Sequence, residues 1–493
     1  MLARVRAWGI LGPSGSLSTH VDLPSDIDRY DRTRRGTGRP PLNSMPSVDD
    51  DLSSGLDPEE FSARVFGTRA TRTGAGLELA PFRGVRFVPE VAGDPASVTM
   101  PPYDLIDEAA ALRLLAEGGH NIIRLNLPRA AGETYDAAGR RLRRWLERGA
   151  LAVDPEPALY VYEAARGGTV LQRGLIGGLG LRAESDGVVL PHENVFPGPV
   201  RDRLALMAAA NANLEPIFLV YEGGGDAAGV VDEAAAGTPL TEFDADDGLT
   251  HRLWRVTDPA LHARVAADLR GKQALIADGH HRYATYRALQ ARRHAAGDGP
   301  GPWDAGLALL VDSTRYPPHL GAIHRVLPGL RPDAALDKAG QVFGVTGFTA
   351  EDAALEALAR AEGPAFLLGG GDSLHLLTGP DPDALREAMP SEHSPRWRAL
   401  GTAVLDHLLI RGVWGVPENE NAVEVVHDDP SAAIARARRS GGTAVILNPL
   451  KVEDVLAVAG GGERVPRKST SFGPKPRTGL VLRLLDPDGP REP

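Results

Sequence analysis

Residues 276–286 read Ile276-Ala277-Asp278-Gly279-His280-His281-Arg282-Tyr283-Ala284-Thr285-Tyr286, and they decide how the surrounding chain is predicted to fold. The residues just before, 273–277, are mostly apolar and predict a short buried strand, whereas residues 283–293 carry alanines at helical spacing and predict a helix. The chain therefore turns from strand to helix at the glycine. An acid, a glycine, two imidazoles and a guanidinium share this turn, and that density of polar groups is typical of a functional site.

A strand-to-helix turn of this composition suits an anion. The first backbone N–H groups of a helix have no partner within the helix and carry the positive end of its dipole, so they favour a phosphate. We expect Gly279 and His281 to lie at this phosphate, with Arg282 adding a bidentate grip. The structural alternative is that Asp278 only caps the helix and that the two histidines point in different directions.

The composition of the whole chain limits its class. Its 493 residues are enough for two or three domains, and 42% hydrophobic with 24% charged residues is ordinary for a soluble globular protein. The 65 acidic and 54 basic residues give a net charge of -11, which argues against a broad nucleic-acid-binding face. The chain has no cysteine, so disulfides, thiolate metal sites and cysteine nucleophiles are excluded.

The sequence also gives no sign of a membrane segment. No run is apolar for the roughly 18 residues that a span needs, and the first residues lack an apolar region of signal-peptide length. We therefore expect a cytoplasmic protein whose partners include neither a membrane nor a nucleic acid. The sequence predicts nothing about the oligomeric state.

Strand and helix patterns alternate along most of the chain, so the predicted fold class is mixed α/β. Residues 1–75 show little periodicity and are expected to be a disordered extension or an over-long gene start. Residues 76–330 are predicted to form a catalytic, phosphate-binding α/β domain, and residues 331–493 a second α/β domain. The individual predictions include strands at 81–87, 121–127, 158–163, 214–221 and 305–311, and helices at 107–117, 136–148, 201–211 and 259–269.

A substrate pocket is predicted from polar groups outside the turn. Two prolines stiffen the loop at 100–107 and fix the backbone that presents a tyrosine and an acid. Other polar groups follow predicted strands or begin predicted helices, and in α/β folds such positions converge on one cleft. The residues expected to line this pocket are Tyr103, Asp104, Arg203, His324 and Arg325.

The C-terminal loop is a second candidate for anion binding. Residues 464–475 contain four basic groups, three hydroxyls and a turn glycine within twelve residues. A solvated basic loop is the usual explanation for such a run, whereas the hydroxyls and flanking prolines favour a phosphate or nucleotide site. Under the second explanation the binding residues are Lys468, Ser469, Thr470 and Lys475.

Several segments together resemble one family. In chain order they are Arg83-Gly84-Val85-Arg86, Pro101-Pro102-Tyr103-Asp104, Pro191-His192-Glu193, Asp202-Arg203, Asp278-Gly279-His280-His281-Arg282-Tyr283, His324-Arg325 and Lys468-Ser469-Thr470-Ser471-Phe472-Gly473-Pro474-Lys475. Their joint order is similar to that of the uncharacterised prokaryotic family named domain of unknown function 1015, over roughly residues 80–485. The resemblance transfers motif positions and little chemistry, because the function of that family is not settled.

The turn at 278–282 is also similar to the phosphate-binding turn of the ParB and sulfiredoxin superfamily, which includes nucleotide hydrolases and free-serine kinases. This resemblance implies a ParB/sulfiredoxin-like core, a glycine and a basic pair that hold nucleotide phosphates, and serine or phosphoserine as a candidate substrate. Sulfiredoxin has a reactive cysteine at the position of His280. Because this chain has no cysteine, sulfinic-acid repair is excluded.

The leading functional hypothesis is a nucleotide-dependent phosphotransferase or phosphohydrolase that acts on a small phosphorylated metabolite. Such chemistry needs positive charge around the phosphate and a carboxylate or imidazole for the nucleophile. A nucleotide and Mg²⁺ are the expected cofactors, with Asp278 and Glu193 as candidate Mg²⁺ ligands. The candidate catalytic residues are His192, Glu193, Asp278 and His280.

Two alternatives use the same residues. The first is a metal-dependent hydrolase in which these imidazoles and carboxylates, together with His281, hold a transition metal that activates water. The chain lacks a spaced motif such as His-Glu-x-x-His, which counts against it. The second alternative is a non-catalytic sensor of a nucleotide or phosphorylated metabolite, which binds its ligand without turnover.

Overall fold

The structure is a computed structural model that describes residues 57–66, 76–417 and 422–486. In chain order the strands are β1 Leu79–Ala80, β2 Gly84–Phe87, β3 Leu151–Val153, β4 Leu159–Arg166, β5 Thr169–Gly180, β6 Val189–Leu190, β7 Ala212–Asn213, β8 Ile217–Tyr221, β9 Thr241–Asp244, β10 Thr250–Val256, β11 Ala274–Asp278, β12 Ala305–Asp312, β13 His319–Gly321, β14 Ile323–Leu327, β15 Gly344–Phe348, β16 Phe366–Gly369, β17 Leu374–Thr378, β18 Glu424–His427, β19 Thr443–Leu447, β20 Ser471–Gly473 and β21 Leu482–Leu484.

The helices, again in chain order, are α1 Pro58–Phe66, α2 Pro89–Ala92, α3 Pro95–Val98, α4 Glu108–Glu117, α5 Ile123–Asn126, α6 Tyr135–Glu147, α7 Pro197–Ala210, α8 Asp226–Ala235, α9 Pro259–Leu269, α10 His280–Ala295, α11 Pro332–Ala339, α12 Glu351–Arg360, α13 Pro382–Ala388, α14 Pro395–Arg398, α15 Gly401–Val404, α16 Pro430–Ser440 and α17 Val452–Gly460. Several begin where the sequence supplies a capping side chain. Asp107 accepts the N–H of Ala110 at the start of α4, and Thr134 accepts that of Ala137 at the start of α6.

The central element is a nine-stranded sheet with the order β6-β11-β8-β12-β5-β4-β10-β9, and β1 adds beside β5. β12 runs parallel to β8, whereas β11 runs antiparallel to β8. Side chains alternate between the two faces of a strand, and neighbouring Val161 and Tyr162 on β4 accordingly enter different hydrophobic clusters. Both faces of the sheet are thus covered, and the predicted mixed α/β class is confirmed.

One face of this sheet carries the helices that position the site. Helix α10 leaves directly from β11 and packs against α7, which in turn packs against α6. Helix α1 also packs on α10, where Phe66 stacks on Tyr283 with ring centroids 6.2 Å apart. Phe61 and Phe66 are both fully buried in the main cluster. Residues 58–66 are therefore an ordered helix rather than part of a disordered extension, and the remainder of 1–75 lies outside the described residues.

A second, six-stranded sheet has the order β15-β17-β16-β19-β14-β18. Its strand β14 precedes the boundary predicted near residue 330. The end of the chain returns to the first part, because β21 pairs with β2 and β7 and β20 pairs with β13. The described residues 57–66, 76–417 and 422–486 belong to one compact unit that contains both sheets. The sheets therefore do not follow the predicted ranges 76–330 and 331–493.

The predicted strand at 121–127 is wrong, because these residues form a helical turn with α5 at its centre. Asn121 directs the turn: its side-chain oxygen accepts the N–H of Ile123, and its amide group donates to the carbonyl oxygens of Ser97 and Thr99. Ile122 and Leu125 are buried as well. Apolar Ile123, Leu125 and Leu127 alternate with polar residues, and this alternation imitates the period of a strand.

None of the helices in the described ranges is long and apolar enough to cross a membrane.

We expect Phe66→Ala to lower the free energy of unfolding by about 3–5 kcal/mol, the usual cost of removing a buried aromatic ring. The side chain is 1% exposed and stacks on Tyr283 of the site helix. Urea denaturation followed by circular dichroism would measure the change. Leu112→Ala, at a position that is 58% exposed, serves as the control. Equal unfolding free energies for the two variants would show that α1 does not belong to the core.

Candidate functional site

Gly279 sets the geometry of the turn. Its φ of +95° lies in the left-handed region, and a Cβ there would come within 2.8 Å of the Ile217 side chain. The chain can therefore leave β11 and enter α10 without a connecting loop. The first helical hydrogen bond at this end is donated by the N–H of Tyr283 to the carbonyl of Gly279, 2.9 Å away. The N–H groups of residues 280–282 have no partner within the helix.

The Arg282 side chain is buried beneath this turn. One terminal nitrogen is 2.6 Å from Asp278 Oδ2, the other donates to the carbonyl of Pro216, and Nε is 3.4 Å from Glu215 Oε1. The side chain is 5% exposed. A buried guanidinium needs such partners, since an unpaired charge in the interior is costly. The predicted grip of Arg282 on a phosphate is therefore corrected: Arg282 positions Asp278.

Lys475 brings the C-terminal loop to the same carboxylate. Its ammonium is 2.6 Å from Asp278 Oδ1 and also bonds Asp104. Burial alone would raise the pKa of Asp278, but Lys475 and Arg282 outweigh it, and that pKa lies below its usual range. Asp278 is therefore an ionised group with a cation at each oxygen, and segments almost 200 residues apart in sequence meet here.

The two histidines of the turn are neutral. His280 Nε2 accepts the backbone N–H of His192 at 3.2 Å, and His281 Nε2 accepts that of Phe196 at 3.1 Å. Burial lowers the pKa of His280 well below its ordinary value and that of His281 to about 4. Both rings therefore fasten the 192–196 segment to the helix. Because neither ring is positively charged, charge gives no support to the catalytic role predicted for His280 or to the phosphate-binding role predicted for His281.

Glu193 is held by a relay of hydrogen bonds. Thr470 donates to Glu193 Oε1 at 3.3 Å, and the same hydroxyl lies 2.8 Å from Nε2 of His192. Burial raises the pKa of Glu193, while Lys468 and Thr470 oppose this shift. Burial also lowers the pKa of His192 to about 3, so its ring is neutral. Of the two candidate carboxylates, only Glu193 has a pKa that is displaced towards neutrality.

Lys468 is an exposed cation in a strained backbone position. Its φ is +57°, a left-handed conformation that costs a non-glycine residue about 1 kcal/mol or more. It lies close enough to Glu193 and His281 to act on both of their pKa values. Its neighbour Ser469 is 1% exposed, so the predicted contact of that hydroxyl with a phosphate has no open path. The loop thus presents Lys468 and buries Ser469.

Part of the predicted substrate pocket forms beside this cluster. The Tyr103 ring lies between two guanidinium groups, with Arg203 4.9 Å and Arg282 5.8 Å from its centroid. Tyr103 therefore contacts the turn directly, whereas Asp104 reaches it through Lys475 and Arg203 reaches it through the Tyr103 ring.

His324 and Arg325 do not line this pocket. Both are buried on β14, and Arg325 donates to the carbonyl of Arg467 at 3.3 Å. Burial lowers the pKa of His324 to about 4 and lowers that of Arg325. Arg325 thus supports the C-terminal loop, whereas His324 accepts the N–H of Leu447 on β19.

The donor set does not fit a transition-metal centre. In the described part of the chain, no group of three or more His, Asp or Glu side chains is arranged to hold a metal ion. Both oxygens of Asp278 are already bonded to cations, and Nε2 of His280 is occupied by a backbone N–H. The prediction that Asp278 and Glu193 bind Mg²⁺ loses support as well, because both oxygens of Asp278 are bonded to cations.

Glu215 is a site residue that the sequence analysis missed. It is buried beside Arg282 and accepts the hydroxyl of Thr478 at 2.9 Å. The signal was an acid inside the apolar segment 214–221, since a buried carboxylate requires a cationic partner.

We expect Arg282→Met to cost about 3–5 kcal/mol of unfolding free energy, because it leaves the buried Glu215 without its cationic partner and Asp278 with Lys475 alone. Adding Glu215→Gln should recover part of this loss, since one of those charges is then removed. Urea denaturation of the two variants would measure both effects, with the exposed Arg113→Met as control. Wild-type stability combined with lost ligand binding would instead indicate a direct phosphate contact.

Comparison with known proteins identifies the family. No curated protein matches the chain. Among solved structures, free serine kinase in complex with AMP is similar at 15% identity and a TM-score of 0.30, over 58% of this chain and 84% of that chain. SbnI with C-terminal truncation from Staphylococcus aureus is similar at 13% identity and a TM-score of 0.32, over 62% and 88%. A conserved hypothetical protein from Pyrococcus furiosus is similar at 14% identity and a TM-score of 0.27, over 58% and 88%.

Likenesses of this size leave the activity to be argued from this chain's own residues, and the ParB/sulfiredoxin-like core stays a prediction. The family model described as "Protein of unknown function (DUF1015)" matches residues 79–403, more than half of the chain. The chain therefore belongs to the DUF1015 family.

Proposed function

We propose that this protein is a nucleotide-dependent phosphotransferase or phosphohydrolase that acts on a small metabolite. The observation that carries the proposal is the meeting of three segments at the N-terminal turn of α10, where Thr470 donates to Glu193 at 3.3 Å and Lys475 lies 2.6 Å from Asp278. A base, a cation and unpaired backbone donors are the parts that phosphoryl transfer requires. They come from three separate segments of the chain.

The phosphate would lie at the N-terminal turn of α10. Its backbone N–H groups and dipole favour an anion, and Lys468 adds an exposed positive charge. Lys475 supplies a second positive charge, which Asp278 and Asp104 hold in place. Asp104 is the more exposed of those two carboxylates, so a phosphate competing for Lys475 would displace it at lower cost than Asp278.

Glu193 is the group best suited to accept the proton of the nucleophile. Its raised pKa makes it a stronger base than Asp278, whose pKa is lowered by two cations. In the proposed step, a hydroxyl oxygen of the acceptor or of water attacks the terminal phosphorus. The bond from that phosphorus to the nucleotide's bridging oxygen breaks, the nucleotide leaves with one phosphate fewer, and the nucleophile's proton passes to Glu193.

The acceptor follows only from the sequence resemblance of the 278–282 turn. Free serine is the candidate that the ParB and sulfiredoxin superfamily suggests, and a hydroxyl-bearing metabolite fits the proposed step. Any Mg²⁺ would enter with the nucleotide phosphates, which supply most of its ligands in such sites.

We expect Lys468→Gly to weaken the binding of ADP and ATP about tenfold, the loss of one charge-assisted hydrogen bond. Glycine removes the ammonium and keeps the left-handed backbone without strain, so the loop should stay folded. Isothermal titration calorimetry with and without Mg²⁺ would measure the affinities. The exposed Lys338→Gly, on the second sheet's helix α11, is the control. Unchanged affinity in Lys468→Gly would remove this loop from the nucleotide site.

We expect Glu193→Gln to lower kcat about 10²–10⁴-fold while nucleotide affinity stays near that of the wild type. Above its pKa Glu193 is a carboxylate that can accept a proton, so the wild-type rate should rise with pH through a midpoint above the ordinary value of 4.5. The variant should lose this limb of the profile. The release or transfer of phosphate, followed by ³¹P NMR, would measure both.

Glu222→Gln provides the matched control, because this exposed glutamate follows β8, which pairs with β11, and lies at the end of this strand pair opposite to Asp278. Tight nucleotide binding without turnover in the wild type would favour a sensor over an enzyme.

A further inference from the structure

A cavity of about 590 Å³ opens at the start of helix α7, next to the candidate site. This volume is within the range of pockets that hold small molecules. Its lining combines cationic, aromatic and small residues. They are Tyr103, Arg129, Tyr135, Gly198, Pro199, Arg201, Asp202, Arg203 and Ala205.

The charge of this cavity is positive. Three guanidinium groups line it against a single carboxylate. That carboxylate, Asp202, is already engaged, since Arg203 donates to it at 2.7 Å and the Tyr135 hydroxyl donates to its other oxygen. Arg129 lies 3.4 Å from Asp202 and has a side chain that is 74% exposed. The lining residues therefore include three arginines and one carboxylate.

The N-terminus of α7 adds to this field. The helix has 14 residues, and no side chain caps its first turn, where Phe196 stands at the N-cap. Gly198 and Pro199 of that turn line the cavity directly. The N–H of Gly198 and the positive end of the helix dipole thus meet the arginines at the same opening, whereas Pro197 and Pro199 have no N–H to donate.

The cavity shares a wall with the candidate site. The turn Tyr103–Leu105 places the Tyr103 ring in the cavity, while the next residue, Asp104, bonds Lys475 on the other side. The Tyr103 ring also rests against both Arg203 of the cavity and Arg282 of the site. A ligand in the cavity would therefore lie one residue away from the Lys475–Asp278 pair.

We propose that this cavity binds the small metabolite of the reaction through a carboxylate or phosphate group of that metabolite. Arg129, Arg201 and the first turn of α7 would hold the anionic group, and the rings of Tyr103 and Tyr135 would cover its carbon skeleton. The metabolite's role as a reactant rests on the proposed function, whereas the anion site itself does not. The substrate class is accordingly a small anionic metabolite.

The test uses the full-length chain and two probes, inorganic phosphate and malonate, which separate phosphate from carboxylate recognition. Isothermal titration calorimetry at low ionic strength would measure their affinities. We expect at least one probe to bind, and to bind about tenfold or more weakly to the double variant Arg129→Gln/Arg201→Gln. Arg113→Gln, an exposed arginine outside the cavity, should leave the affinity unchanged.

A second variant guards against loss of folding. A side chain at Gly198 would meet open space, and an acid in the first turn of a helix is favourable. Gly198→Glu should therefore keep the wild-type melting temperature while its carboxylate occupies the anion site and abolishes probe binding.

The outcomes distinguish this proposal from the proposed function. The cavity proposal is overturned when neither probe binds, when both cavity variants bind like the wild type, or when only Lys468→Gly weakens the probe. It is supported when the cavity variants lose the probe and keep their affinity for ADP. Loss of the probe in those variants, in a protein that binds no nucleotide, would sustain the anion site and refute the nucleotide-dependent reaction.

Discussion

The buried guanidinium of Arg282 is the interaction on which the rest of the site depends. It joins Asp278 at the end of β11 to Glu215 and Pro216 just before β8. The end of one strand and the start of its antiparallel neighbour are thus held by one buried charge. Asp278 can then receive Lys475 from the end of the chain. In the interior a charge pair is worth little beyond its own desolvation, yet an incomplete one is very costly. The network therefore specifies the arrangement of these segments more than it stabilises the fold.

The histidines of the turn are likewise engaged in fixed contacts within the fold. Two adjacent histidines in the sequence suggest a reactive site. In the fold, however, each ring accepts a backbone N–H from residues 192–196. Burial keeps both rings neutral, which lets them act as acceptors. They hold the segment that presents Glu193, so the carboxylate that we propose as the base lies next to the motif in the fold and not within it in sequence.

The sequence predicted the strands and helices around the turn better than it predicted which side chains contact one another. The strand at 274–278, the turn at Gly279 and the helix after it follow from local periodicity and from glycine's freedom at positive φ. The role of Arg282 could not follow, because its partner Glu215 lies 67 positions away and nothing local marks the contact. The helical turn at 123–126 was missed because its apolar and polar residues alternate as they do on a strand. Long-range pairing of charges is the information that a single sequence does not display.

The site and the cavity beside α7 are coupled through the rigid turn at Tyr103–Leu105. The two prolines before the turn restrict its backbone, so we expect Tyr103 and Asp104 to move as one unit. Asp104 is half-exposed, and water can solvate it when Lys475 leaves. An anion that presses on Tyr103 from the cavity and a phosphate that attracts Lys475 from the turn would therefore act on the same element. The two proposed ligands would be separated by the Tyr103 ring and by the guanidinium groups of Arg203 and Arg282 that pack against it.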